Sequence, residues 1–192
     1  MSDTDVPAEE FGIELAAYAA RWPEEAECVA QFEALLREER TSGVDAYVRS
    51  RLAGHLTASS WLVDRSGLRV LLTHHRKLGL WLQLGGHADG ERDLRAVALK
   101  EAEEESGLQD LIVDNGLFDL DRHWIPEHKG VPGHWHYDAR YVVRATGSES
   151  FTVSDESHAL AWRDIAEVAA DASMDTSLRR MARKWLALPP TP

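Results

Sequence analysis

Apolar positions recur at helical spacing through the first forty residues. Phe11, Leu15 and Tyr18 fall on one stripe, and Trp22-Pro23 interrupts it. Cys28, Phe32, Leu35 and Leu36 form a second stripe that stops at Thr41-Ser42-Gly43. Two helices are expected between Glu9 and Arg40, forming an extension over residues 1–54 that packs on the main domain or on a partner subunit. From His55 the texture changes to short apolar runs. Ser60–Val63 and Arg69–Thr73 read as strands joined by a hairpin at Asp64-Arg65-Ser66-Gly67. Leu80–Leu84 reads as a strand ended by Gly85-Gly86, and Asp93–Ser106 as a helix closed by Gly107. Further strands are predicted at Leu111–Val113, Leu117–Leu120, His134–Val143 and Ala159–Trp162, with helices at Arg163–Ala170 and Ser177–Leu188. Strands, helix and strands without regular βα alternation predict an α+β or mixed α/β sandwich over residues 55–188, followed by a tail at 189–192.

The helix at 93–106 departs from an ordinary amphipathic pattern. At about 100° per residue, Leu94, Val97 and Ala98 define the inward face. Glu101 and Glu105 continue that stripe, Glu104 sits at its edge, and Glu103 points to solvent. Partial burial of neighbouring carboxylates is costly, because desolvation and mutual repulsion both oppose ionisation. Carboxylates near a helix C-terminus also oppose the macrodipole. A divalent cation reverses these signs, and oxygen ligands one turn apart suit Mg²⁺ or Mn²⁺. The other reading of the same run is a solvated acidic face.

Context separates the two readings. Gly86, Lys100-Glu101-Ala102 and Glu104-Glu105-Ser106-Gly107-Leu108 keep one ungapped register. This segment resembles the Nudix box: Gly, five residues, Glu, seven residues, Arg-Glu-aliphatic, one residue, Glu-Glu, one residue, Gly-aliphatic. Two positions depart from it. Arg92 stands where the family has its early Glu, and Lys100 where it has the Arg that orients a metal-binding Glu. Lys keeps the charge and loses the bidentate fork.

The resemblance implies a Nudix-type α/β/α sandwich with a mixed sheet, preceded by the N-terminal helical extension. It implies hydrolysis of a diphosphate joined to a nucleoside or a related small molecule. Glu101, Glu104, Glu105 and the Gly86 carbonyl would then hold Mg²⁺ or Mn²⁺. Glu104 or Glu105 is the expected general base, unless a loop carboxylate serves, for which Glu156 is the candidate. Two alternatives share the resemblance. One is a ligand-sensing module that has lost turnover, which should show as replacement of a box Glu. The other is an isopentenyl diphosphate isomerase-like enzyme, which needs an active-site Cys; Cys28 lies well before the box.

Charge adds to this picture. Across 192 residues, 33 acidic side chains face 21 Lys and Arg, for a net charge of −12. So acidic a chain is a poor binder of nucleic-acid polymers, whose recognition requires a basic surface. Small phosphate-bearing substrates remain accessible through a bridging cation. Basic groups are correspondingly informative. Lys77 belongs to a cluster, His74-His75-Arg76-Lys77, that is either a phosphate-recognition element or a polar loop. His87 follows the box glycine directly and is a candidate for contact with the diphosphate. If His134 to Arg140 is a strand, then His134, His136, Asp138 and Arg140 share one face. That face meets solvent or lines a cleft; in the cleft, His134, His136 and Arg140 would contact substrate.

Cys28 is the single cysteine, so no disulfide closes within the chain and no Cys-based zinc site exists. The first residues lack a basic n-region and no apolar run approaches a membrane span, so a cytoplasmic setting is expected. The N-terminal helices offer a surface for a homodimer.

Overall fold

The computed structural model describes residues 6–75, 79–128, 130–152 and 157–189. Its elements are α1 (Val6–Arg21), a 3-10 turn (Pro23–Glu25), α2 (Ala26–Ser42), β1 (His55–Val63), β2 (Arg69–His75), β3 (Trp81–Leu82) and β4 (Leu84–His87). There follow α3 (Leu94–Ser106), β5 (Leu111–Val113), β6 (Asp119–Ile125), β7 (His134–Ala145), β8 (Ser157–Asp164), α4 (Ile165–Ala170) and α5 (Thr176–Ala187). The fold class is the one implied by the resemblance, an open mixed sheet flanked by helices in an α/β/α sandwich, with the N-terminal helices present. Two compact units divide the chain, and β1, α3 and β7 each run through both.

The first unit gathers the described residues of Met1–Ser59, Gly85–Val97 and Asn115–Tyr141. Phe11, Leu15 and Tyr18 of α1 and Phe32, Leu35 and Leu36 of α2 are buried, as their spacing predicts. The N-terminal helices pack on strand residues of this unit. The Phe32 ring meets Tyr137 of β7 edge-on with centroids 5.4 Å apart, and Tyr141 donates to Glu14 Oε2 at 2.7 Å. Strands β6 and β7 pair antiparallel from Asp119↔Arg140 to Ile125↔His134.

Three elements here differ from expectation. β1 starts at His55, five residues before the predicted strand, because its polar residues Thr57 and Ser59 are buried as donors to Asp138 of β7. β6 spans Asp119–Ile125 rather than Leu117–Leu120; its buried Asp119 accepts from Arg140, and the strand beyond Leu120 is only partly buried. Gly85 and Gly86 sit inside strand β4 instead of ending one. A Cβ on Gly85 would lie 2.6 Å from the Ala58 carbonyl oxygen and 2.7 Å from Ser59 Cα, so close packing against β1 requires glycine there.

The second unit gathers the described residues of Ser60–Leu84, Ala98–Asp114 and Val142–Pro192. Its core joins Leu62, Leu71, Leu84, Ala102, Leu108 and Val143, with Leu99 and Trp162 packed against it. β2 pairs antiparallel with β8 from Arg69↔Asp164, and β5 with β7 from Leu111↔Ala145. The predicted hairpin between β1 and β2 is built around the Asp64 carboxylate. It accepts from the backbone N–H groups of Leu68 and Arg69, each at 3.1 Å, and from Arg69 Nε at 2.8 Å. Asp164 and Asp175 cap α4 and α5 by accepting from first-turn N–H groups.

Candidate active site and a histidine cluster

On α3, burial follows the predicted wheel. Leu94, Val97, Ala98 and Ala102 are buried, Glu105 is half-buried and Glu103 is exposed. The Glu101 side chain retains 19% of its exposure and that of Glu104 60%. The glutamates therefore occupy graded positions across the boundary between core and solvent. Lys100 places Nζ 3.6 Å from Glu104 and 4.0 Å from Glu101, so its charge offsets part of their mutual repulsion. The helix end is closed independently of the carboxylates: Gly107, at φ +69°, donates to the Glu103 carbonyl, and the Thr152 N–H donates to that of Ser106. Carboxylate oxygens offered one turn apart are the donor chemistry that a hard divalent ion requires.

The other box departure has a structural reason in the first unit. Arg92 bonds Glu39 at 2.5 Å and lies 3.3 Å from Asp45, and its guanidinium stacks 4.3 Å above the Tyr47 ring. A residue at a box position thus anchors α2 and the segment after it. Gly86 lies on β4. Lys77 and Glu156 lie outside the described residues.

The alternating face of β7 is largely buried. Arg140, 2% exposed, donates from Nε to Asp138 at 2.7 Å and from Nη1 to Asp119 at 3.1 Å, with Nη2 3.3 Å from Asp121. Asp138 also accepts from Thr57 and Ser59 of β1 at 2.8–3.0 Å. Burial alone would lower the Arg140 pKa, but the Asp138, Asp121 and Asp119 carboxylates raise it above its ordinary value. Its guanidinium is committed to these internal carboxylates.

Farther along the same face lies a cluster of imidazoles. The His55 ring centroid lies 4.9–5.2 Å from those of His87, His134 and His136, and His123 is 5.5 Å from His136. His134 faces the Pro132 carbonyl through Nδ1 at 2.8 Å and His136 through Nε2 at 3.2 Å. Burial, aided by the Arg49 guanidinium and the His55 ring, lowers the His87 pKa to about 4. Burial, followed by the neighbouring imidazoles, lowers that of His136 to about 2, and burial lowers that of His55. The His87 and His136 rings are therefore neutral at pH 7. Of this cluster, the sequence pattern alone missed His55 and His123. The period-two alternations His55-x-Thr57-x-Ser59 and Asp119-x-Asp121-x-His123 were the available signal.

The NUDIX domain family model matches residues 54–185. The chain belongs to the Nudix family. This Nudix domain is that of a pyrophosphohydrolase. Solved structures agree on the fold. A Nudix-family hydrolase from Clostridium perfringens superposes with a TM-score of 0.54 at 21% identity, covering 68% of this chain and 95% of that one. An Ap4A hydrolase from C. elegans gives 0.54 at 18% identity, with 69% and 95% covered. A MutT protein from Methanosarcina mazei Go1 gives 0.55 at 13% identity, with 70% and 94% covered. No curated protein matches the chain. No described helix of this Nudix hydrolase is long and apolar enough to cross a membrane.

Proposed function

We propose that this Nudix hydrolase cleaves the diphosphate linkage of a nucleoside diphosphate-linked or related small molecule, with Mg²⁺ or Mn²⁺ held by Glu101, Glu104 and Glu105. The observation that carries this reading is the stripe of α3, where Glu101 and Glu105 occupy partly buried positions that a plain amphipathic helix gives to apolar residues. What a divalent ion supplies in such a cradle is charge neutralisation on the diphosphate and a nucleophile available near neutral pH. Lys100 limits repulsion among the glutamates and helps hold Glu101 and Glu104 in place. Glu104 or Glu105 takes the proton from the attacking water. The relatives that superpose include an Ap4A hydrolase and a dihydroneopterin triphosphate pyrophosphohydrolase, which directs the substrate screen toward dinucleoside polyphosphates and triphosphates.

The test is a screen of nucleotide sugars, dinucleoside polyphosphates, ADP-ribose and nucleoside triphosphates with Mg²⁺ and with Mn²⁺, identifying products. Turnover of at least one compound, abolished by EDTA and by Glu105→Gln in a folded protein, is expected. Ligand binding without turnover by the wild type would instead identify a sensor.

A further inference from the structure

We propose that His55, His87 and His136 form a binding site for a divalent transition-metal ion of the imidazole-preferring kind, Zn²⁺ foremost, made of residues other than the α3 glutamates.

Geometry carries the proposal. Each of the three offers one ring nitrogen, and these nitrogens all lie within 4.8 Å of one another. In a tetrahedral site with metal–nitrogen bonds of about 2.0–2.1 Å, ligand nitrogens stand roughly 3.3 Å apart. Closing the set onto an ion needs a shift of less than about 1 Å per ring. The three residues come from three strands, β1, β4 and β7, so local sequence spacing does not explain the convergence.

His55 supplies an independent observation. It is 1% exposed, and its Nε2 is buried without a hydrogen-bond partner. Its Nδ1 faces the Arg51 carbonyl at 3.3 Å, which places the proton on Nδ1 and leaves a lone pair on Nε2. Most buried polar atoms are bonded, so an orphan imidazole nitrogen among imidazoles points to an absent acceptor of that lone pair. A carbonyl on one ring nitrogen with a metal on the other is the usual outer arrangement of histidine ligands. His134 plays the positioning role toward His136, bonded to it at 3.2 Å and fixed in turn by the Pro132 carbonyl.

Donor chemistry selects the ion. Three imidazoles and no carboxylate suit Zn²⁺, Co²⁺, Ni²⁺ or Cu²⁺ and are a poor match for Mg²⁺, which demands oxygen. The ligand class therefore differs from the one proposed for α3.

The test uses the full chain, free of any histidine tag and stripped of metal by a chelator. Zn²⁺ is added in the presence of excess Mg²⁺, and bound metal is quantified by equilibrium dialysis. We expect one Zn²⁺ per chain, with X-ray absorption showing a nitrogen shell at about 2.0–2.1 Å and imidazole scattering. His87→Gln and His136→Asn should each weaken binding by at least about tenfold, with unchanged circular dichroism. Glu101→Gln and Glu105→Gln should leave Zn²⁺ binding intact while turnover falls. The wild-type absorption spectrum decides the matter even if a variant misfolds. Three results would overturn the proposal: no stoichiometric Zn²⁺, an oxygen-only shell, or binding lost in the glutamine variants and kept in the histidine ones.

Discussion

The two units use charge in opposite ways. In the first, Arg140 and its aspartates lie out of water and bond one another along strand faces. In the second, the hydrophobic core cluster is made of uncharged side chains, and the glutamates of α3 emerge at its border, graded from mostly buried to mostly exposed. Charges that complete each other inside a fold hold strands in register. Carboxylates set along the border of a core can be reached by something arriving from outside. Acidity alone distinguishes neither region, since both are rich in carboxylates; accessibility does.

Four experiments would break or sharpen this contrast. The largest effect is expected on α3: Glu105→Gln should reduce turnover by more than about 100-fold, beyond what loss of an outer-shell partner costs, with little change in the denaturation midpoint. The converse is expected at the enclosed pair. Arg140→Met strands buried carboxylates and should cost about 3–5 kcal/mol in chemical denaturation. If Arg140→Met instead left stability intact, the internal network would not be structural.

Arg92 gives a smaller effect with a diagnostic order. Arg92→Ala removes an ion pair and a stacked guanidinium, worth about 1 kcal/mol. Arg92→Glu, which restores the family's residue, should be worse than alanine, because it sets a third carboxylate beside Glu39 and Asp45. Urea midpoints and protease susceptibility of the N-terminal helices would rank the two.

The smallest effect concerns pH. Burial pushes the Asp64 carboxyl upward, but the backbone and guanidinium of Arg69 and the Ser66 hydroxyl outweigh it and hold the pKa below the ordinary 3.8. A group depressed on folding contributes stability that is present above the unfolded value and lost as pH falls through the folded one. The stability gap between wild type and Asp64→Asn should therefore be widest above pH 3.8 and shrink on further acidification. Denaturation curves across that range would check it.

Much of the second unit could be read from the chain. The 3.6-residue period of α3, its Gly107 cap and the Asp64 hairpin all follow local rules that burial did not override. The first unit was harder to read because its buried strand faces are polar. His55-Leu-Thr-Ala-Ser in β1 does alternate polar and apolar residues, but nothing local says that its polar face is buried, and Asp119-Leu-Asp-Arg-His in β6 carries a single apolar residue; Thr57, Ser59 and Asp119 are satisfied by partners distant in sequence. Arg140 shows the limit most clearly. Its strand face was legible, but whether that face met solvent, substrate or three aspartates depended on strand neighbours that no local pattern encodes.

The seating of Phe32 against Tyr137, with Arg92 bound to Glu39, bears on how this protein is handled. The family match begins at residue 54 and invites truncation there. A fragment cut at that point would lose the aromatic cover of β7 and leave an arginine without its carboxylates. Sticky aggregates and poor yield are the expected fate of such a minimal domain.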